Sequence, residues 1–359
     1  MKKIILIAFV LCALMFAFTS CIPGKPEFTF ELRDADSYTV SVANANNARK
    51  IVIPDTYNGK PVTAIKQYGF ADIKTVRSIV VPDSIDYIGS GAFANCIRLE
   101  EVVLGKSVKT LNGIKVLGTP EEGFSAVMGI DQTSENTVTD MVYILMSSIE
   151  GMFPNCGKLV SIEVSAENEN YKSVDGNLYT KDGTILIKYC SGKKDKSFTI
   201  PDGVTKFFRS TFENSKRLEK IVLPNSLEEY KGDNDYTWIL GGTCFSELPS
   251  LEEIVVSESN PNYKVLNGNL YTKDGTILIK YCSGKKDKNF TIPDGVEAID
   301  VWAFYHAYNL SIVTVSSSVN NAHFPPDITE IKVVENNTTY KSVDGVLYSK
   351  DGKIGRAHV

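Results

Sequence analysis

The sequence predicts a repeat solenoid, a β-rich stack of coils of about 23 residues with short helical or 3-10 turns and inserted β-hairpins. Three observations predict it. A phenylalanine, five intervening residues, Leu or Val, and then an apolar pair flanking one variable position occur six times, starting at Phe70, Phe93, Phe153, Phe212, Phe245 and Phe304. A 23-residue period separates Phe70 from Phe93 and Pro201 from Pro224, and the wider gaps of 60, 59, 33 and 59 residues read as that unit plus insertions. Short β-rich runs end repeatedly in Pro-Asp or a similar bend, as in "VPDSIDYI" and "IPDGVEAI". Proline cannot donate to a ladder and Asp favours the bend, so each run stops there.

The elements follow in chain order. Lys2 and Lys3, the apolar stretch Ile4 to Phe18 and the small residues before Cys21 form the three parts of an export signal over residues 1–20. "TSC" resembles a bacterial lipobox, which makes Cys21 the candidate lipidation site, with plain secretion or an uncleaved anchor as the alternatives. Residues 21–50 read as an N-terminal linker and cap, and residues 51–353 as the repeat array. Within the array, 112–150 breaks the pattern and fits either an amphipathic helix or an irregular loop. Residues 354–359, "IGRAHV", read as sequencing-adapter sequence, so that the natural chain is expected to continue past Lys353.

A 23-residue coil cannot bury its own apolar side, so neighbours must stack. The six phenylalanines are expected to form one inner ladder, and Leu99 with its counterparts a second. The 20 residues Asn177–Lys196 recur letter for letter at Asn269–Lys288. A shortened third copy begins at Tyr340. In each full copy β-rich runs flank Asp-Gly, so hairpins are expected near 171–196, 263–288 and 340–353, with Asp182-Gly183 and Asp274-Gly275 at two tips.

Composition removes several function classes. The net charge of −5 comes without a basic block, which gives nucleic acid no phosphate-binding surface. Three histidines in 359 residues leave little for triads or histidine-rich metal sites. Asp175, Asp182 and Asp195 lack calcium-loop spacing, and Asn267 replaces Asp175 in the second copy. Cys190 and Cys282 have no histidine nearby to act as base. Cys96, Cys156, Cys190, Cys244 and Cys282 are odd in number and widely spaced, which fits buried apolar residues better than a disulfide framework. No enzyme, cofactor or metal site is expected.

The strings "YNGKPVTAIKQYGF" and "IPDGVEAIDVWAF" resemble the leucine-rich repeats of bacterial surface proteins of the BspA type, over about Phe28 to Lys353. The resemblance implies a leucine-rich repeat fold and an exported protein, at the cell surface or outer membrane, that binds or adheres to protein or glycan partners. A lipid anchor on Cys21 would add a membrane contact. The alternative is a structural spacer presenting a missing C-terminal domain. For a contact surface the sequence offers the variable strand position: Val80, Val103, Glu163, Val222, Val255 and Thr314. Strand alternation sends this row outward. Four valines there fit a partner-binding face, and also the plain β-propensity of valine. The "GKKDK" lysines fit either an anionic polymer site or a solvated turn.

Overall fold

Each apolar strand of the repeat can satisfy its backbone only by pairing with the same strand of the next coil. The computed structural model describes residues 24–111, 114–115, 151–207, 209–229, 242–245 and 247–352. The export signal with Cys21, nearly all of the 112–150 insertion and residues 354–359 lie outside the described residues. Two compact units divide the chain, one ending at Asn170 and the other starting at Tyr171, apart from a short masked stretch.

In the first unit, strands Lys50–Val52, Ser78–Val80, Glu101–Leu104 and Ser161–Val164 pair in parallel, in the order of the coils. Ile51, Ile79, Val102 and Ile162 share one register position and are fully buried. A second sheet takes one strand from each coil: Tyr38–Asn44, Lys60–Ile65, Tyr87–Ile88 and Thr110–Leu111 run parallel. Glu27–Leu32 adds an antiparallel edge to it. The described part of the expected linker and cap, residues 24–50, holds two of these strands. Val42 N–H donates to Gly69 O, and Val42 stands nine residues before Ile51, as Phe70 stands nine before Ile79. The first coil already begins in that segment.

The next two coils make this same link. Phe70 N–H donates to Ala92 O at 2.8 Å and Phe93 N–H to Met152 O at 3.2 Å, each acceptor lying just before the next coil's phenylalanine. The rings of Phe70, Phe93 and Phe153 follow one another at 6.3 and 5.4 Å, all buried.

The second unit shows what the wide gaps conceal. Tyr189 N–H donates to Thr211 O and Tyr281 N–H to Ala303 O, both at 3.0 Å. Those acceptors precede Phe212 and Phe304, so Tyr189 and Tyr281 occupy the phenylalanine position of two further coils. Each lies 23 residues before the next phenylalanine and nine before an inward aromatic, Phe198 or Phe290. Strands Ser197–Thr199 and Asn289–Thr291 accordingly join parallel ladders with Lys220–Val222 and Glu253–Val255, and with Ile312–Val315 and Glu330–Val333. The doubled segment is thus mostly a coil. The added hairpin is confined to Tyr171–Val174 with Asn177–Thr180, and to Tyr263–Leu266 with Asn269–Thr272. Ile185–Lys188 and Ile277–Lys280 extend each hairpin antiparallel on one side and pair with the next coil in parallel on the other.

The single row of phenylalanines does not extend through this unit. Phe212 and Phe245 each pack on Phe207, at 5.4 and 5.6 Å, while Phe304 meets Tyr281, Phe290 and Phe324. Two 3-10 turns, Arg209–Phe212 and Gly242–Phe245, lead into their phenylalanines.

Buried asparagines hold the turns before the hairpins. Asn260 donates through Nδ2 to Pro224 O, and its Oδ1 accepts from the N–H groups of Asn262 and Tyr263. Asn337 donates to Ser316 O and Val319 O and accepts from Thr339 and Tyr340. In the first unit Asn168 donates to Gly105 O and Val108 O.

The tyrosine coils give a direct test. The Tyr281 hydroxyl is buried with no hydrogen-bond partner, so Tyr281→Phe removes a desolvated polar group and should leave stability unchanged or raise it by up to about 1 kcal/mol. Tyr281→Ala should cost about 3–5 kcal/mol by opening a cavity. Denaturant unfolding of both variants measures this, and equal losses would remove Tyr281 from the repeat core.

Candidate functional site

The outward row lies one residue after each buried apolar rung. In the first unit Val52, Val80, Val103 and Glu163 are register partners on adjacent strands. Val80 and Val103 are half-buried, Glu163 is exposed, and Val52 is 57% exposed. Val52 was not among the expected residues because its strand precedes the first phenylalanine unit, although "KIVIPD" carries the same signal as "SIVVPD".

The other three expected residues lie on two separate ladders of the second unit. Thr199, Val222 and Val255 form one row, and Thr291, Thr314 and Lys332 another. The six residues are thus divided over three hydrogen-bonded ladders, and the apolar character concentrates at Val52–Val80–Val103 and Val222–Val255. Around these rows, Arg77–Glu100, Lys196–Glu219 and Lys220–Glu253 ion pairs at 2.6, 2.7 and 2.8 Å tie coil to coil on the exposed surface. Such exposed pairs contribute little to stability; they leave the valines as the dry part of the face.

The hairpins meet the strand edge of the ladder rather than its face. Ile254 N–H donates to Gly268 O at 3.0 Å and Ile331 N–H to Gly345 O at 2.8 Å. The acceptors sit in two-residue tips, Asn267-Gly268 and Asp344-Gly345, with positive φ at both residues. Asp175-Gly176 has the same form. This is the tight hairpin turn that Asn-Gly and Asp-Gly favour, and it explains why Asn267 can replace Asp175. Asp182-Gly183 and Asp274-Gly275 are tips too, of the next, wider connection. The Asp182 carboxylate accepts from the Thr180 hydroxyl at 2.6 Å and the Thr184 N–H at 2.9 Å, and Asp274 repeats this with Thr272 and Thr276. The Thr272 hydroxyl and Thr276 N–H hold Asp274 below the usual carboxylate range.

The doubled segment's other polar groups are also engaged in holding the coil. Asn177 and Asn269 accept through Oδ1 from Cys190 and Cys282 N–H. Lys188 Nζ, buried, donates to Ser210 O and Glu213 O, and Lys280 Nζ to Tyr305 O. Burial pulls Lys280 down to about 8. The first lysine of each "GKKDK" is not a solvated turn residue alone: Lys193 and Lys285 donate to the carbonyls of Asp175 and Asn267 and lie over the Tyr189 and Tyr281 rings.

All five described cysteines are buried thiols. The Cys190 and Cys282 thiols donate to Gly176 and Gly268 carbonyls at 3.0 Å, and Cys96 and Cys156 to Phe70 and Phe93. Burial pushes Cys96 up to about 11 and Cys282 up to about 12, away from the thiolate a nucleophile requires. Among the described residues no group of three or more His, Cys, Asp or Glu side chains could hold a metal ion. No helix among them is long and apolar enough to cross a membrane.

A family model described as the BspA type leucine rich repeat region matches in six copies, over residues 17–114, 184–264 and 276–342. The gap at 265–275 spans the second strand of a hairpin. The pneumococcal vaccine antigen PcpA is similar at 18% identity, covering 90% of this chain and 89% of its own, with a TM-score of 0.41. A leucine rich cell surface protein from Faecalibacterium prausnitzii is similar at 19%, covering 83% and 90%, with a TM-score of 0.30. A leucine-rich repeat protein from Bacteroides ovatus is similar at 19%, covering 88% and 80%, with a TM-score of 0.38. No curated protein matches the chain.

The thiols supply a measurement. In protein lacking residues 1–21, iodoacetamide at pH 8 should modify none of the five cysteines while the fold is intact, and all five in denaturant. Burial favours the protonated Cys96 and Cys282 thiols, so their contribution to stability is full below the ordinary thiol range and is lost as pH rises towards 11–12. Rapid labelling of Cys190 or Cys282 in the native protein would contradict their burial.

Proposed function

The chain belongs to the BspA-type leucine-rich repeat family, and we propose on that premise that it is an exported, surface-anchored binding or adhesion protein. Its coils stack as a solenoid, and it contacts protein or glycan partners through the outward faces of its ladders. The observation that carries this reading is the contiguous row Val52, Val80 and Val103, held on three hydrogen-bonded strands with Val52 57% exposed. An apolar row on a fixed backbone costs no ordering when a partner covers it, and exposed apolar patches mark contact sites. The second-unit residues Val222, Val255 and Thr314 offer shorter versions of the same surface, and Glu163 closes the first row with a charge.

Export through the signal at residues 1–20 and lipidation of Cys21 would place these faces outside the cell, tethered to the membrane. Partners are then met at the surface, where broad shallow contacts suit proteins and glycans better than a small buried substrate. Nothing in the reading requires a cofactor, a metal or nucleic acid.

Two measurements test it. Val80→Asp with Val103→Asp should reduce attachment to epithelial monolayers and immobilised extracellular-matrix proteins at least tenfold, with the melting temperature within a few degrees of the parent. Undiminished attachment would exclude this row. Separately, Cys21→Ala should shift the protein from the membrane fraction to the medium, and retention in the membrane would remove the lipid anchor.

A further inference from the structure

The last phenylalanine turn departs from its siblings on the solvent side. In the turns around Phe70, Phe93, Phe153 and Phe212, the residue two after the phenylalanine is Asp72, Asn95, Asn155 or Asn214, each with φ between 58° and 65°. In the turn around Phe304 this place holds His306, at φ 63°. Trp302, Tyr305 and Tyr308 fill the positions two before, one after and four after the phenylalanine. Among the same three positions of those other four turns, Tyr68 is the one aromatic. The backbone bend is the same in all five turns, so the rings are not there to make it.

The four rings form a continuous run. Trp302 meets Tyr305 edge-on at 5.2 Å, Tyr305 lies 4.2 Å from His306, and His306 lies 5.2 Å from Tyr308. Tyr308 is 63% exposed and the other three are half-buried, with exposed Val301 beside Trp302. The run is rigid from below and from within. Lys280 Nζ and Ser283 Oγ both donate to Tyr305 O, at 2.9 and 2.8 Å. His306 Nδ1 and the Tyr308 hydroxyl are 2.5 Å apart, which fixes both rings. Glu247 and Asp327 stand close enough to act on both His306 and Tyr308.

We propose that Trp302, Tyr305, His306 and Tyr308, whose neighbouring rings are inclined at 78°, 58° and 66°, form an aromatic platform on which a single exposed ring face binds the flat apolar face of a neutral pyranose. The ring faces carry the negative side of the aromatic quadrupole, which attracts the C–H groups polarised by a sugar's oxygens. The Tyr308 hydroxyl supplies a polar group for its hydroxyls, and Glu247 and Asp327 add negative charge to the surroundings. The same carboxylates disfavour sialylated or sulfated glycans. A protein partner needs about 800 Å² on each side of a stable interface, more than one turn offers, whereas one or two sugar rings match it. Fixed rings also lower the ordering cost of binding. This inference names a ligand class within the proposed binding role and rests on that role, but on a different surface from the valine row.

The test uses protein lacking residues 1–21 on an array of neutral, sialylated and sulfated oligosaccharides. The expected result is binding to neutral glycans, weakened at least tenfold by Trp302→Ala and by Tyr308→Ala, with melting unchanged for the exposed Tyr308 variant. Trp302 is one of two tryptophans. In a Trp238→Phe background its emission should shift on titration with the best-bound neutral oligosaccharide, which gives a readout without altering the platform. Binding to acidic glycans alone, neutral binding indifferent to both variants, or no glycan binding would overturn the platform. If matrix proteins still bind through the valine row, only the platform fails. If neither cells, matrix proteins nor glycans bind, the adhesion reading fails with it.

Discussion

The structure depends on one hydrogen bond repeated from coil to coil: the N–H of the residue at the inner turn donates to the carbonyl just before the next coil's aromatic. It runs from Val42 to Gly69, from Phe70 to Ala92 and from Phe93 to Met152 in the first unit. It recurs from Tyr189 to Thr211 and from Tyr281 to Ala303 in the second. A buried N–H must be paired, and here only the neighbouring coil can pair it. This forces the coils into common register, which brings the buried rungs such as Ile51, Ile79, Val102 and Ile162 side by side. The inward and outward rows are consequences of that register.

The hairpins solve a problem that parallel ladders create. A ladder ends in a strand with unpaired backbone groups, and such edges invite pairing with other chains. Gly268 and Gly345 bring their carbonyls to Ile254 and Ile331 from tight tips that only residues tolerant of positive φ can form. The asparagine before each hairpin fixes where the chain leaves the coil. Polar groups in the doubled segment are used in the same structural way: Asn269 holds Cys282, and Lys285 holds the Asn267 carbonyl.

How much of this the sequence discloses depends on how directly each feature follows a spacing. The phenylalanine units and the outward direction of the variable row can be read from period and alternation. The coils at Tyr189 and Tyr281 cannot be read that way, because tyrosine replaces phenylalanine and Asp195 and Asp287 stand where Leu is expected. Only the backbone bond reveals them. The Asp-Gly tips at 182 and 274 were legible as turns, whereas the tighter tips at 175 and 267 were masked by their Asp-to-Asn difference. That difference argues against calcium, yet it is what a positive-φ turn permits. The break between the second unit's two ladders goes with the hairpin tip that pairs with Ile254, a tertiary event with no local signal. The aromatic turn at 302–308 was hidden because its phenylalanine obeys the repeat, and only comparison with the sibling turns makes its extra rings conspicuous.

The identical segments Asn177–Lys196 and Asn269–Lys288 lie in one unit and make the same bonds to their following coils. Each segment presents the same side chains to whichever strand receives it. What favours the native partner is chain connectivity: the coil at Phe212 is 23 residues from Tyr189 and 69 from Tyr281, a difference in loop-closure entropy of about 1 kcal/mol. Synthesis from the N-terminus adds to this, since the nearer copy emerges and docks before the farther one exists. The identical segments leave the chain with two similar keys for one lock, and connectivity and order of arrival both favour the nearer one.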